Sequence, residues 1–312
     1  MYTYQNPREV YGNVLLNLAR ENKEIVVLDA DLCKSTMTCL IEKELPGQYF
    51  EMGIGEQNMM SIAGGLSLTG KIPFVNSFAI FLTSRAFDQI RQAIGISGLN
   101  VKIIGSSAGL SDYGDGSTHQ TVEDIAIMRA IPGMTVISPC DANQLAKAIE
   151  AITGYHGPVY LRYSRNNMAD LTSPSDSFKI GEVYPLKAGT DVTVFSHGDL
   201  LFKVLDSARD MQKEGISVQV VNVPTIKPLN REKIVNLARK TGAAVTVEEH
   251  SIIGGLGSAV AEALRLEKIP VDFVAISDMY GTSGHSHEEL REFYGLTTEN
   301  IKHTIRNILK LK

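Results

Sequence analysis

Short runs of β-branched and apolar residues alternate along the first half of the chain with longer stretches in which apolar residues recur every three or four positions. The runs 24–30 (EIVVLDA), 71–77 (KIPFVNS), 100–106 (NVKIIGS), 133–139 (GMTVISP) and 157–164 (GPVYLRYS) are short and nearly continuous. That pattern predicts strands covered on both faces. Between them, Met59, Ile62 and Leu66 follow Gly53 and Gly55 at helical spacing, and Phe87, Ile90 and Ile94 do the same. Thr121 with Asp124 three positions on suits a helix cap, and a further helix is predicted beyond Pro139 through DANQLAKAIEAI. Strand and helix in alternation predict an α/β fold, a mostly parallel sheet flanked by helices.

The rhythm breaks at 164–190 (SRNNMADLTSPSDSFKIGEVYPLKAGT), which is polar and has no sustained period, so it reads as a linker. A second series follows: strands at 191–198, 217–224, 243–250 and 271–277, with helices near 200–213, 230–240 and 256–266 and terminal helices after them. Two α/β domains are predicted, roughly 1–180 and 188–312. The length of 312 residues suits that number, and no short internal repeat is present.

Composition narrows the function classes. Hydrophobic residues at 44% and charged ones at 21% match a globular chain. The net charge of −5 and the lack of a strong basic run argue against a nucleic-acid backbone as partner. Cys33, Cys39 and Cys140 are odd in number, widely spaced and without a CxxC pair. They suggest neither a disulfide framework nor structural zinc, and fit a cytoplasmic location. No stretch approaches the ~18 apolar residues that would span a membrane.

Several chemistry-bearing stretches each have a plain alternative. In IIGGLGSAVAEAL, Gly255 and Gly257 open a helix after a strand, as in a dinucleotide fingerprint, but Val260 stands at the sixth position. Tight packing explains them better. His285, His287 and Glu288 read as residues of a surface loop rather than metal ligands. The long loop 107–126 (SAGLSDYGDGSTHQTVEDIA) carries Asp115 and His119 after a predicted strand, where open α/β sheets bind ligands, yet the same residue types also cap helices. Phe78 and Phe81 suit core packing by themselves. Glu56 suits a first helical turn, where the helix dipole rewards a carboxylate by about 0.3–1 kcal/mol.

In this order, GIGEQNMMSIAGGL, the aromatic run, DGSTHQ, PGMTVISPCD and VYLRYSR resemble the second half of transketolase, its pyrimidine-binding domain followed by its C-terminal domain. The resemblance spans nearly the whole chain and extends to deoxyxylulose-phosphate synthase and to beta subunits of 2-oxoacid dehydrogenases. It implies thiamine diphosphate as cofactor. It matches Glu56 to the glutamate that hydrogen-bonds a ring nitrogen of the aminopyrimidine and relays a proton. Phe78 and Phe81 match aromatics around that ring, and Asp31 and Leu32 match residues beside the cofactor. Asp115 and His119 match the pair that recognises substrate hydroxyls, with His119 also able to stabilise an oxyanion. Arg8, Ser35 and Arg165 match the positions that hold the sugar phosphate. The two readings of Glu56 make opposite demands: a dipole-complementing carboxylate is solvated, a relay carboxylate is buried.

The departures are at Ser107, where the family's phosphate-binding histidine falls, and near Ser84, where an aromatic is missing beside Arg85. They leave open an unusual phosphorylated sugar, or a sulfonated one, as substrate. The family's unit for diphosphate and magnesium, a GDG motif followed by an asparagine, is not matched, since the GDG at 114–116 belongs to the substrate loop. The resemblance therefore implies the C-terminal subunit of a split transketolase. Its N-terminal partner subunit would hold most of the Mg²⁺ or Ca²⁺, with two copies of each chain. Such a pair transfers a two-carbon ketol unit between sugar phosphates. A 2-oxoacid-dehydrogenase beta-type subunit, a deoxyxylulose-type synthase, a non-catalytic assembly subunit and a nucleotide-binding oxidoreductase remain as alternatives in descending order.

Overall fold

The computed structural model describes residues 2–312. Strands in chain order are β1 (Tyr4–Gln5), β2 (Ile25–Asp29), β3 (Tyr49–Glu51), β4 (Ile72–Phe78), β5 (Lys102–Ser106), β6 (Thr135–Ile137), β7 (Val159–Arg162) and β8 (Met168–Ala169). They continue with β9 (Tyr184–Lys187), β10 (Val192–Ser196), β11 (Val218–Asn222), β12 (Thr225–Lys227), β13 (Ala244–Ser251) and β14 (Val271–Ile276). A seven-stranded sheet has the order β12-β6-β7-β5-β4-β2-β3 and is parallel except for β12. A five-stranded sheet has the order β14-β13-β10-β11-β9, with β9 antiparallel. The chain is the mostly parallel α/β architecture that the alternating pattern predicts.

The continuous apolar runs became inner strands because helices cover both of their faces: β2, β5, β6 and β7 are buried at every position. On one side lie Tyr11, Leu15, Leu145 and Ile149 from the helices Pro7–Glu21 and Ala142–Thr153. On the other lie Met59, Met60 and Ala63 from the helix Glu56–Leu68, together with Ile90 and Ile94. Asp141 starts the helix Ala142–Thr153 by accepting from the Gln144 amide at 2.7 Å, as its short acidic side chain favours.

Local expectations fail where long-range partners intervene. The stretch 164–190 is not a bare linker: β8 pairs with β1, and β9 adds an edge to the five-stranded sheet. The apolar face of Glu56–Leu68 is set by Met59, Met60 and Ala63, whereas Ile62 is 37% exposed. Thr121 and Asp124 form no cap. Asp124 lies inside the helix Asp124–Ala130, buried, accepting from Arg162 at 2.9 Å and from Tyr160 at 2.5 Å. The segment with Phe87, Ile90 and Ile94 is helical, but π-helical turns at Phe81–Arg85 and Ile90–Gly95 interrupt its period. Three residues after β11, β12 leaves the second sheet and pairs antiparallel with β6 of the first.

The seam between the two sheets is polar. Glu249, at the end of β13, has an 11% exposed side chain and accepts from Arg291 Nε at 2.8 Å, from the Leu110 amide at 2.9 Å and from His287 Nε2 at 2.9 Å. Arg291 also donates to Asp199 at 2.7 Å, and Asn166 Nδ2 lies 3.1 Å from His287 Nδ1. Thus His287 is a buried tie between the sheets, not a surface-loop residue. Burial opposes the charge on Glu249, but the His287 ring and the Arg291 guanidinium outweigh it and hold the carboxyl well below its ordinary value.

A carboxyl held low contributes stability that is present above its unfolded value, about 4.3, and is lost as pH falls through its folded value. Arg291→Met takes the guanidinium from Asp199 and leaves Glu249 with only His287 and the Leu110 amide, and is expected to cost about 3 kcal/mol in urea unfolding at neutral pH. The same variant should show a shallower loss of stability on acidification than the parent, and parallel pH profiles would contradict this account of the seam.

Candidate functional site

The C-terminal ends of parallel strands leave backbone groups and loops facing a common crevice, where open α/β sheets place their ligands. In the first sheet the loops after β2, β4, β5 and β7 meet there. After β4, the chain turns at once into the π-helical turn Phe81–Arg85. This brings Phe78 and Phe81 into a stacked pair, with ring centroids 5.7 Å apart and planes at 22°. The His119 ring meets Phe81 edge-on at 5.2 Å and Phe78 at 6.2 Å. Arg165, just beyond β7, lies over Phe78 at 5.7 Å and donates to Asp112 at 2.8 Å. Burial raises the Asp112 carboxyl, and the Arg165 charge opposes that rise.

Glu56 opens its helix after Gly55 and is only 4% exposed. One carboxylate oxygen accepts from Arg85 Nη1 at 3.1 Å, and the Arg85 guanidinium in turn lies 4.2 Å from the centre of the Phe81 ring. Glu56 is therefore not the solvated carboxylate that complementing a helix dipole requires. It lines an open cleft with Ile54, Gly55, Gln57 and Arg85. A continuous chain of contacts runs from Glu56 through Arg85, Phe81 and Phe78 to Arg165, with His119 set against both phenyl rings.

The segment after β2, next to β4 in the sheet, carries Asp31 and Leu32 on a loop and Ser35 in the short helix Cys33–Thr36. It is shaped by Asp29, a buried carboxyl pushed up to about 6 by burial despite accepting from Thr36, Thr38 and the Leu32 amide. Asp31 adopts φ +60°, and its amide donates to Glu51 at 2.9 Å. Asp115 is exposed and separated from His119 by the 3-10 turn Gly116–Thr118. Arg8 enters from the start of the helix Pro7–Glu21, which the pairing of β1 with β8 holds in place. Its Nε is buried without a hydrogen-bond partner among the described residues, and its charge counters the rise that burial gives the Tyr163 hydroxyl.

Ser107, at φ +55°, has a buried hydroxyl that is likewise unpartnered among the described residues, and Ser84 is exposed on the π-helical turn. Sequence reasoning overlooked Asp112, which holds Arg165, and noted Arg85 only as a neighbour of Ser84. An acidic residue in the same loop as Asp115 was the available signal for the first. The register shift that brings Arg85 to Glu56 depends on the π-helical turn and left no trace in spacing.

The glycine-rich start of the helix Leu256–Leu264 is already occupied. The Glu248 carboxylate already accepts from the amides of Leu256 and Gly257 at 2.7 Å each, and a Cβ at Gly257 would press into the Phe273 ring. That helix start has its anion built in, so Gly255 and Gly257 serve packing. Among the described residues, no group of three or more His, Cys, Asp or Glu side chains is arranged to hold a metal ion, and no helix is long and apolar enough to cross a membrane.

Residues 4–170 match the family model described as the transketolase pyrimidine-binding domain, and residues 181–301 match the transketolase C-terminal domain. The 6-deoxy-6-sulfo-D-fructose transketolase subunit SqwH of Clostridium sp. (strain MSTE9) is 39% identical, over 98% of this chain and 95% of its own. A subunit of the apulose-4-phosphate transketolase of Phocaeicola vulgatus is 36% identical, over 97% of each chain. A solved structure of a split-gene transketolase, an inactive beta4 tetramer, is 44% identical and superposes with a TM-score of 0.89 over 98% of each chain. With both domain models matched in sequence order and relatives of this similarity along nearly their full length, the chain belongs to the transketolase family.

Proposed function

We propose that this chain is the C-terminal subunit of a two-component transketolase that moves a two-carbon ketol unit between sugar phosphates, using thiamine diphosphate. The observation that carries the reading is the buried Glu56 carboxylate opening onto a cleft beside the stacked Phe78–Phe81 pair. A flat heteroaromatic ring with a hydrogen-bonding edge suits that combination of carboxylate and aromatic faces. The residues present therefore fit the aminopyrimidine of thiamine diphosphate. When bound, that cofactor supplies the nucleophilic carbon and the electron sink that ketol transfer needs.

The chain's own residues have separable tasks. Glu56 holds a proton at the cofactor's ring nitrogen, which requires a carboxylate shielded from water. Arg85, now paired with Glu56 and lying over Phe81, yields that carboxylate to the ring when the cleft fills. His119 and Asp115 recognise substrate hydroxyls, with His119 placed against the aromatic pair and able to stabilise developing negative charge on the carbonyl oxygen. Arg165 and Arg8, with Ser35, hold the distal anion, for which arginine's planar fork is suited. Asp31 and Leu32 border the cofactor from the β2 loop. An N-terminal partner subunit, carrying the diphosphate and most of the Mg²⁺, completes each site in an assembly with two copies of each chain. The full-length match to separate transketolase subunits, and the inactive state of the beta4 relative, support the need for such a partner.

Ser107 favours a modified substrate. Its buried hydroxyl offers no cationic donor where the family's phosphate-binding histidine falls, so the charge of the anion is met by the arginines alone. Guanidinium groups bind sulfonate as well as phosphate, and relatives named for a sulfonated sugar and for apulose 4-phosphate lie within the same range of similarity.

Purified by itself, the chain is expected to show no ketol transfer. Mixing with the N-terminal partner, thiamine diphosphate and Mg²⁺ should restore it, with ketose phosphates, a sulfonated ketose and pyruvate compared as donors. Robust activity of the isolated chain, or turnover of pyruvate alone, would overturn the proposal. In the reconstituted complex, Glu56→Gln should lower kcat by about 10²–10⁴-fold, the usual contribution of a positioned acid or base. The assembly measured by sedimentation should stay intact, and undiminished kcat would instead make the chain an assembly subunit.

A further inference from the structure

The loop 112–120 bears the residues assigned to substrate recognition, yet the His119 side chain does little to fix its own place. Among the described residues, the only hydrogen-bond partner of the His119 ring is the neighbouring Thr118 hydroxyl, 3.0 Å from Nδ1, and the ring meets Phe78 and Phe81 edge-on. Its position therefore follows from its backbone. That backbone is turned by its own bonds from the His119 and Gln120 amides to the Gly116 carbonyl, and the turn is held from the other domain, by residues 281–284 beyond β14.

The two segments are joined at each end of the loop. The Gly284 amide donates to the Tyr113 carbonyl at 2.9 Å. Gln120, 3% exposed, donates through Nε2 both to the Asp112 carbonyl at 3.1 Å and to the Thr282 carbonyl at 3.0 Å. Two carbonyls facing one amide nitrogen fix its orientation, because the oxygen end has no proton to offer them. Between these ties the surfaces touch without room for a side chain. A Cβ on Gly281 would collide with Gln120 Oε1, and one on Gly116, at φ +74°, would collide with Ser283 Oγ. The 281–284 segment is itself anchored: the Tyr294 hydroxyl donates to the Tyr280 carbonyl at 2.7 Å, and the helix His287–Phe293 that follows carries His287 and Arg291 to Glu249.

We propose that residues 281–284 of the C-terminal domain clamp the substrate loop, and that Gln120 is the positioning residue through which the clamp sets His119 and Asp115. The assignment gives the C-terminal domain a task in substrate recognition although the cleft at Glu56 is lined from the first domain. Because Asp112 both accepts from Gln120 and holds Arg165, the clamp also bears on the anion-binding arginine. The functional half of this inference rests on the transketolase reading of Asp115 and His119, whereas the mechanical half does not.

Two variants load the junction from opposite sides: Gln120→Leu removes both donated bonds, and Gly281→Ala forces the segments apart. Hydrogen exchange of the free chain is expected to rise at the amides of residues 113–119 in both, while β10, β11 and β13 keep their protection. In the reconstituted complex, kcat/KM for the sugar donor should fall by about tenfold or more, mainly through KM, with the Kd for thiamine diphosphate unchanged, since small displacements of recognition groups are costly. Unchanged exchange at 113–119 in both variants would overturn the clamp, as would a loss of protection spread evenly over the whole chain. A local rise in exchange alongside a parent complex that transfers no ketol group would uphold the clamp and overturn the transketolase reading instead.

Discussion

One carboxylate holds the architecture in register. Glu249 sits where the two sheets meet and binds groups from both sides: the Leu110 amide from the first, His287 and Arg291 from the second. A buried charge of this kind is tolerated only when fully paired, and its pairing is what gives it direction. An apolar seam would bring the sheets together without specifying how they meet. Here the Leu110 amide, three residues after Ser107, is tied to the far domain, so the entry to the loop 112–120 inherits its position from the seam. The loop's far end is tied to the same domain through Gln120. The geometry around the aromatic pair is thus a property of the interface between domains as much as of the first sheet.

The fold was legible in the sequence wherever local pattern and burial agree. The five continuous apolar runs of the first half all became strands, because a parallel sheet covered on both faces demands apolar side chains on both. What the pattern did not show depended on distant partners. β12 has the composition of a strand but no local sign that its partner is β6 rather than β11. Asp124 looked like a cap because capping residues and buried network residues draw on the same acids, and only the tertiary approach of Arg162 and Tyr160 distinguishes them. Ile62 belongs to the apolar periodicity of its helix yet faces outward.

The candidate site residues were proposed as a set, through order and resemblance, and their geometry was only partly legible. Spacing alone left Glu56 as a helix-start charge. Burial of its side chain removed that explanation. Phe78, Phe81, His119 and Arg165 come together as one cluster although they derive from three loops separated by dozens of residues. Asp31, Leu32 and Asp115 lie on loops, whereas Ser35 is in the short helix Cys33–Thr36 and Arg8 is in the first turn of Pro7–Glu21. Arg85 escaped because an α-helical count places it elsewhere; a π-helical turn rotates each later residue relative to that count, and such turns recur at functional sites.

β12 also has a bearing on solubility. Without it, β6 would be the outer strand of the large sheet, a short row of unpaired amides and carbonyls that carries Val136 and Ile137. Open edges of that kind recruit other strands and promote aggregation. The second half of the chain thus shields the first: a fragment of residues 1–180 would keep nearly all of its own core and still be a hazard in solution, because the strand that covers its edge is encoded some 45 residues further on.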